Sequence, residues 1–269
     1  MTVPAFHRLL LTGAAGGLGR VLRPRLKAYC AQLRLSDRAD LGTAAAGEEL
    51  CPAVLEDKDA VHALLQDVDA VVHFGGISVE AAWQPILQAN IIGLYHLYEA
   101  ARHQRVRRIV FASSNHVTGF YRQDDVITPQ APPRPDTLYG VSKAFGENLS
   151  RMYHDRYGIE TVCIRIGSAT PAPENRRMLA TWLSHDDLER LIVAALTAHY
   201  VSHTVMFGLS DNTTRWWDNT SASHIGYRPM DSAEPFRAEI EAREPLADAS
   251  DPIARYQGGV FVNLGPYDA

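Results

Sequence analysis

Residues 11–19 of the chain read Leu-Thr-Gly-Ala-Ala-Gly-Gly-Leu-Gly. They follow a short apolar run that reads as a β-strand, and they precede a helical pattern. Glycines placed between a first strand and a first helix let the backbone approach a pyrophosphate at the helix N-terminus. The turn therefore predicts a dinucleotide-binding α/β fold, although an ordinary strand-to-helix turn can carry the same glycines.

Strand-length apolar runs alternate with helical patterns along most of the chain. The predicted strands cover residues 8–13, 32–37, 50–55, 69–75, 108–113, 161–167 and 205–209. The predicted helices cover residues 17–28, 84–103 and 184–199, with others after the N-cap residue Asp57 and around Tyr139. Strands that are apolar on both faces indicate a parallel sheet covered on both sides, so the pattern predicts a doubly wound α/β (Rossmann) fold. We expect residues 1–269 to form one such domain, in which residues 168–269 contribute a small substrate-binding part.

Composition and charge are ordinary for a globular protein: 46% of the 269 residues are hydrophobic, 21% are charged, and the formal net charge is −5. Without a basic excess, no nucleic-acid partner is expected. The apolar runs are too short to span a membrane, and the first residues lack the segments of a signal peptide. Three separated cysteines without a CxxC pair are typical of a reduced, cytoplasmic protein. His199 and His203 have metal-ligand spacing but lack a third ligand, so no metal site is expected.

A carboxylate marks the expected ribose end of the dinucleotide site. Asp37 ends the second predicted strand, at about the distance from the glycine turn at which an acidic residue binds the ribose hydroxyls. Because its charge would repel a 2′-phosphate, the sequence predicts NAD rather than NADP as the cofactor. Arg38 beside it argues mildly in the other direction.

Tyr139 and Lys143 stand four residues apart in a predicted helix and so share one of its faces. A tyrosine titrates near about 10, and a neighbouring ammonium stabilises the phenolate and lowers that pKa toward the range of a useful base. Ser113 and Ser114 end the fifth predicted strand, at the edge where open α/β sheets bind ligands, and they offer a hydroxyl to a substrate. An exposed amphipathic helix can show the same Tyr–Lys spacing, but it does not account for the glycine turn and the serines as well.

Together these motifs resemble the short-chain dehydrogenase/reductases, and in particular their extended, NAD-dependent epimerase/dehydratase branch. The resemblance is carried by Gly13, Gly16 and Gly19, by Asn90 within Asn90-Ile91-Ile92-Gly93, by Ser113-Ser114, and by Tyr139 with Lys143. It covers about the first 210 residues. Within that branch, the strings at residues 73–78, 112–116, 164–168 and 176–188 resemble those of the uronate dehydrogenases.

The resemblance implies a role for each motif. Tyr139 would be the general base, Lys143 would lower its pKa and hold the nicotinamide ribose, and Ser114 would bind the reacting hydroxyl. The implied substrate contacts are Ser78, Ser114, Asn115, Tyr139, Ser168 and Arg177, with Arg177 on the substrate carboxylate. The implied cofactor contacts are Gly13, Gly16, Gly17, Leu18, Gly19, Asp37, Leu55, Gly75, Tyr139 and Lys143.

Two positions need separate mention. From the sequence alone Arg176 is as good a candidate as Arg177, and only the resemblance favours Arg177. The family usually has Asp-Leu where this chain has Val54-Leu55. Val54 is therefore not expected among the cofactor contacts, whereas the Leu55 backbone is.

The resemblance implies an NAD-dependent dehydrogenase that oxidises the C1 hemiacetal hydroxyl of a hexuronic acid, such as glucuronate or galacturonate, to an aldarolactone. A sugar-nucleotide epimerase or dehydratase is one alternative, but the short C-terminal part offers little to hold a nucleotide. A non-catalytic dinucleotide-binding protein is another, but it has little need for Tyr139 and Lys143. By analogy with the family, we expect a homo-oligomer that pairs through the helices carrying Asn90 and Tyr139.

Overall fold

The computed structural model of the protein describes residues 5–248 and 250–265; residues 1–4, on which part of the signal-peptide argument rests, lie outside the described residues. Its strands are β1 (Phe6–Thr12), β2 (Cys30–Ser36), β3 (Glu48–Leu50), β4 (Ala70–His73), β5 (Arg108–Ser114), β6 (Glu160–Ile166), β7 (Ser168–Ala169), β8 (Trp182–Leu183) and β9 (His203–Gly208). Seven of them form one sheet in the order β3-β2-β1-β4-β5-β6-β9, with every neighbouring pair parallel. The short strands β7 and β8 pair separately. The predicted doubly wound α/β fold is confirmed.

Helices cover both faces of this sheet. They are α1 (Gly17–Leu26), α2 (Lys58–Leu64), α3 (Trp83–Ile86), α4 (Gly93–Gln104), α5 (Leu138–Tyr157), α6 (Met178–Thr181), α7 (His185–Thr197), α8 (Arg237–Arg243) and α9 (Pro252–Arg255). Alternate residues of a strand face opposite sides, so Leu9 and Leu11 of β1 pack in one core with α1 and α7, and Leu10 packs in a second core with α2 and α4. Across the described residues, no helix combines the length and apolar character needed to cross a bilayer.

Two elements differ from the sequence expectation. The third strand is Glu48–Leu50 rather than residues 50–55. The chain leaves the sheet there because residues 53–56 turn to line a cleft at its carboxyl edge. The long helix predicted over residues 84–103 is interrupted by a π-helical turn, Leu87–Ile92, in which Asn90 is buried.

Side-chain caps fix where two helices begin. Asp57 accepts hydrogen bonds from the first backbone N–H groups of α2, as its sequence position predicts. Ser184 caps α7 by accepting from the backbone N–H of Asp187 at 2.9 Å. The sequence Ser184-His185-Asp186-Asp187 also predicts a capping box, in which Asp187 would accept from the Ser184 N–H. That contact is absent among the described residues, because the Asp187 carboxylate accepts instead from the backbone N–H groups of Met230 and Asp231. Asp187 thus ties the C-terminal part of the chain to α7.

The end of the chain returns to the carboxyl edge of the sheet. We name residues 252–265 the C-terminal strap; it contains α9 and a 3₁₀ turn, Gly259–Asn263. An antiparallel bridge between Arg122 and Tyr256 joins the strap to the loop that follows β5.

Candidate active site

A cleft of about 540 Å³ opens at the carboxyl edge of the sheet, where β1 and β4 lie side by side and the strand order reverses. Such a switch point is where open α/β sheets bind ligands. The cleft is lined by Gly13, Gly16, Gly17, Leu18, Gly19, Asp37, Leu55 and Gly75, all of them predicted cofactor contacts. Ser78, predicted to bind substrate, also lines it. So does Val54, which the resemblance had left out.

The glycine turn is packed so closely that side chains would not fit at two of its positions. Gly13 has φ +70°, and a Cβ there would lie 2.5 Å from the Phe74 carbonyl carbon. A Cβ on Gly19 would lie 2.0 Å from the Gly13 carbonyl oxygen. The turn therefore brings the N-terminus of α1 and its free N–H groups to the wall of the cleft, which fits the pyrophosphate of a dinucleotide.

Asp37 is held at the edge of this cleft by backbone contacts. Its Oδ2 accepts from the Ala15 N–H of the glycine turn at 3.0 Å, and its Oδ1 accepts from the Ala39 N–H at 2.9 Å. A fixed carboxylate at this place fits two ribose hydroxyls and disfavours a phosphate. Arg38 is exposed and lines the same rim.

Ser114, Tyr139 and Lys143 meet where β5 ends against α5, and all three are buried. The Ser114 hydroxyl lies close enough to the Tyr139 phenol to lower the pKa of that phenol. The Lys143 ammonium lies 5.6 Å from the centroid of the Tyr139 ring and donates to the Ala112 carbonyl at 2.8 Å. The structure thus brings together the three residues for which the sequence predicts catalytic roles.

Burial has the largest effect on the pKa of Tyr139 and raises it to about 12. The nearby Ser114 hydroxyl lowers this pKa, and the Asp136 carboxylate raises it further. The expected lowering by Lys143 is not seen in the protein alone. Burial also lowers the pKa of Lys143 itself, to about 8. The isolated protein therefore keeps the phenol protonated at neutral pH, and a base role for it requires additional positive charge nearby.

Arg177 lies half-buried beside the same strand end. Its Nη1 donates to Ser168 Oγ at 3.0 Å, and its Nε donates to the Gln257 carbonyl at 2.8 Å. Its Nη2 donates to the Asn115 amide oxygen at 2.8 Å when that amide is turned so that its oxygen faces the guanidinium and its nitrogen faces the Ile166 carbonyl. Among residues 5–248 and 250–265, no carboxylate lies within 4.0 Å of this guanidinium. Burial without such a partner lowers the pKa of Arg177 to about 10. The Asp136 carboxylate, which lies farther away than 4.0 Å, opposes this shift. A desolvated cation without a carboxylate in contact is a suitable site for an anionic group of a ligand.

Arg176 points elsewhere. Its guanidinium pairs with Glu241 at 3.5 Å, its Nη2 donates to the Glu241 carbonyl, and its backbone N–H donates to Glu244 Oε2 at 2.7 Å. Of the two candidate arginines, only Arg177 therefore contacts the other predicted substrate residues.

Three further residues reach the site without having been predicted to do so. His116 Nδ1 contacts Asp136 Oδ2 at 2.7 Å, and the Phe261 ring stacks on the imidazole with centroids 3.7 Å apart. Burial lowers the pKa of His116, and the Asp136 carboxylate opposes that shift. His116 follows Ser114 and Asn115 in the sequence, so adjacency could have suggested it; Phe261 comes from the C-terminal strap and has no local signal.

Two polar side chains hold the surrounding backbone. Asn90 accepts from the Ile77 N–H at 2.8 Å and donates to Ser142 Oγ at 2.9 Å, which joins the loop after β4 to α5. Glu80, also buried, accepts from the backbone N–H of Tyr139 at 2.8 Å. The π-helical turn thus places Asn90 where it can fix both the cleft wall and the tyrosine helix.

The two histidines with metal-ligand spacing take no part in this site. His203 Nε2 contacts Ser150 Oγ at 2.9 Å, and His199 is exposed after α7. In the part of the chain that the structure describes, no three His, Cys, Asp or Glu side chains are grouped so that they could hold a metal ion.

A parallel sheet, a glycine turn at its switch point and a buried Ser–Tyr–Lys group define a dinucleotide-dependent oxidoreductase of the extended short-chain class. The family model described as the NAD dependent epimerase/dehydratase family matches residues 9–200, and the chain belongs to that family. The NAD dependence of the family agrees with the cofactor predicted from Asp37.

Within the family, the chain is similar to uronate dehydrogenases. It is 56% identical to the uronate dehydrogenase of Pseudomonas putida over 269 residues, 100% of both chains. The crystal structure of a tyrosine mutant of uronate dehydrogenase from Agrobacterium tumefaciens, complexed with NAD, superposes with a TM-score of 0.96 at 50% identity and covers 98% of this chain and 100% of that chain. The glucuronic acid dehydrogenase from Chromohalobacter salexigens superposes with a TM-score of 0.95 at 51% identity, covering 96% and 97%.

Proposed function

We propose that the protein is an NAD-dependent dehydrogenase that oxidises the C1 hemiacetal hydroxyl of a hexuronic acid, such as glucuronate or galacturonate, to the aldarolactone. The observation that carries the proposal is the half-buried Arg177, which has no carboxylate partner in the described residues and lies beside Asn115. Asn115 directly follows Ser114, the residue whose hydroxyl lies next to the Tyr139 phenol. Two consecutive residues thus reach the candidate base and the candidate anion site.

In the proposed reaction Ser114 and Tyr139 hold the C1 hydroxyl, and the phenolate of Tyr139 takes its proton as the C1–H bond breaks. NAD⁺ accepts the hydride from C1 when bound, and its positive ring supplies the charge that favours the phenolate. Lys143 adds a second positive charge next to the phenol, and we assign the nicotinamide ribose to it as well. The electron pair left by the proton forms the carbonyl of the lactone, so the step consumes no water.

The remaining contacts divide between the two ligands. We assign the substrate carboxylate to Arg177, assisted by Asn115 and Ser168, and other sugar hydroxyls to Ser78. We assign the dinucleotide to the glycine turn and to Asp37, with Leu55 and Gly75 along its path. Within residues 168–269, Ser168, Arg177 and the C-terminal strap would make up the small substrate-binding part of one Rossmann domain, whereas α7 and β9 belong to its core and sheet.

We also propose that the protein is a homo-oligomer paired through α4 and α5. Tyr95 on α4 and Met152 and Tyr157 on α5 are large side chains with 47%, 38% and 44% of their surface exposed. Exposed aromatic and methionine side chains on neighbouring helices are typical of an interface.

The experiment that tests the activity follows NADH formation with free glucuronate, free galacturonate, glucose, UDP-glucuronate and UDP-glucose, each with NAD and with NADP. We expect turnover of the free uronates with NAD, with the lactone and its hydrolysis product identified by NMR. Equal activity on glucose contradicts the carboxylate site. Interconversion of UDP-sugars without net NADH indicates the epimerase alternative, and better turnover with NADP contradicts the role given to Asp37.

A further inference from the structure

The C-terminal strap contacts the anion site directly. The Gln257 carbonyl accepts from Arg177 Nε at 2.8 Å. Gly259 has φ +62°, and a Cβ there would lie 2.7 Å from Arg177 Cδ, so the strap backbone is seated on the arginine stem. With Nε held in this way, the Nη1 and Nη2 edge of the guanidinium faces Ser168 and Asn115. The strap thus fixes the orientation of a planar cation whose hydrogen-bond directions are rigid.

The side chain of Gln257 in turn anchors the strap. The residue is 1% exposed. Its Nε2 donates to the carbonyls of Arg122 at 2.9 Å and Asp125 at 3.0 Å, and its Oε1 accepts from Trp217 Nε1 at 2.9 Å. Its backbone N–H donates to the Tyr121 carbonyl at 2.8 Å. The side-chain amide of Gln257 therefore binds the loop after β5 and Trp217. These contacts fix the position of the Gln257 backbone carbonyl, which accepts from Arg177 Nε.

We propose that Gln257 is a positioning residue for the carboxylate-binding arginine, so that the strap determines selectivity for uronic acids over neutral sugars; this rests on the proposed function. Gln257 acts only through Arg177 and touches neither reacting atom. Its loss should therefore weaken the binding of the carboxylate and leave the hydride and proton transfer largely unchanged.

The test compares Gln257→Met, which keeps the length of the side chain but removes its hydrogen bonds, with the wild type. Without these side-chain bonds the strap backbone should shift, and the Gln257 carbonyl should lose its hydrogen bond with Arg177 Nε. We therefore expect KM for glucuronate to rise roughly tenfold, about the effect of losing one hydrogen bond to a charged group, with kcat changed less than about threefold and KM for NAD unchanged. Trp217→Phe removes one donor to Gln257 while keeping the ring that stacks on Phe207, and should give a smaller rise in the same direction.

Two controls separate positioning from a general loss of structure. Tyr98→Phe removes the buried hydroxyl contact with Thr161 near the amino end of β6, at the opposite edge of the sheet from the strap, and should lower the melting temperature without raising KM for glucuronate. In an Arg177→Lys background there is no Nε–H for the Gln257 carbonyl, so Gln257→Met should have no further effect on KM.

An unchanged KM in Gln257→Met, or an equal effect of this substitution in the Arg177→Lys background, overturns the positioning role while leaving the activity intact. If the wild type neither binds nor oxidises glucuronate, both the proposed function and the positioning role of Gln257 are contradicted.

Discussion

At the scale of single residues, the proposed reaction depends most on Tyr139. We predict that Tyr139→Phe lowers kcat by roughly 10³-fold, because removing a general base commonly costs about 10²- to 10⁴-fold. NAD binding by calorimetry should stay within about threefold of wild type, because the glycine turn and Asp37 are untouched and the loss of one ribose contact is small. Retention of more than a tenth of the wild-type rate at pH 8 contradicts the assignment.

Lys143 should reduce the stability of the protein at neutral pH. Burial lowers its pKa from 10.5 to about 8 in the folded state, so the unfolded chain binds more protons between those values and stability rises with pH across that window. The shift corresponds to about 3 kcal/mol below pH 8. Lys143→Met should remove this cost together with the activity.

Urea unfolding of the two cofactor-free proteins between pH 7 and pH 10 measures the effect. The free energy of unfolding of the wild type, relative to Lys143→Met, should increase as the pH rises through about 8. A difference that is constant with pH would mean that Lys143 keeps the same proton affinity in the folded and unfolded chains, against the expectation.

At the scale of elements, the turn between β1 and α1 offers a matched pair of substitutions. Gly19→Ala would place a Cβ 2.0 Å from the Gly13 carbonyl oxygen, whereas a Cβ on Gly17 meets no atom within 4 Å. We predict that Gly19→Ala lowers the free energy of unfolding by roughly 1–3 kcal/mol and weakens NAD binding. Gly17→Ala should leave the free energy of unfolding unchanged or raise it by up to about 1 kcal/mol. Equal stability of the two variants in denaturant titrations contradicts the described packing.

Sequence patterns predicted these elements where the signal is local. The glycine turn, the face shared by Tyr139 and Lys143 and the cap at Asp57 depend on residues a few positions apart, and each is found at its expected place. The third strand was misplaced because an apolar run does not distinguish a strand from a segment that lines a cleft.

Sequence patterns could not predict contacts between distant parts of the chain. Gln257 reaches Arg177 across 80 positions, and Phe261 stacks on His116 from a part of the chain with little regular structure. The acidity of Tyr139 was also misjudged, because its burial depends on the whole fold whereas the lysine beside it is visible in the sequence. Nothing in the sequence alone separated Arg176 from Arg177; the contact with Asn115 does.

At the scale of the whole molecule, the exposed side chains on α4 and α5 predict assembly. We expect light scattering after size-exclusion chromatography to show a homo-oligomer. Tyr95→Glu combined with Met152→Glu should convert it to smaller species, because two buried like charges per subunit would oppose the contact. The matched control is Val126→Glu, an exposed apolar position outside these helices. A monomeric wild type contradicts the proposed interface.

The central claim is that a cation held beside the base selects the substrate by its carboxylate. The most direct measurement is the ratio of kcat/KM for glucuronate to kcat/KM for glucose, in the wild type and in Arg177→Met. We predict a large ratio in the wild type that falls at least about 100-fold in the variant, through loss of activity on glucuronate, because a paired and partly desolvated charge is worth about 3 kcal/mol. A ratio that is unchanged by the substitution would contradict the account.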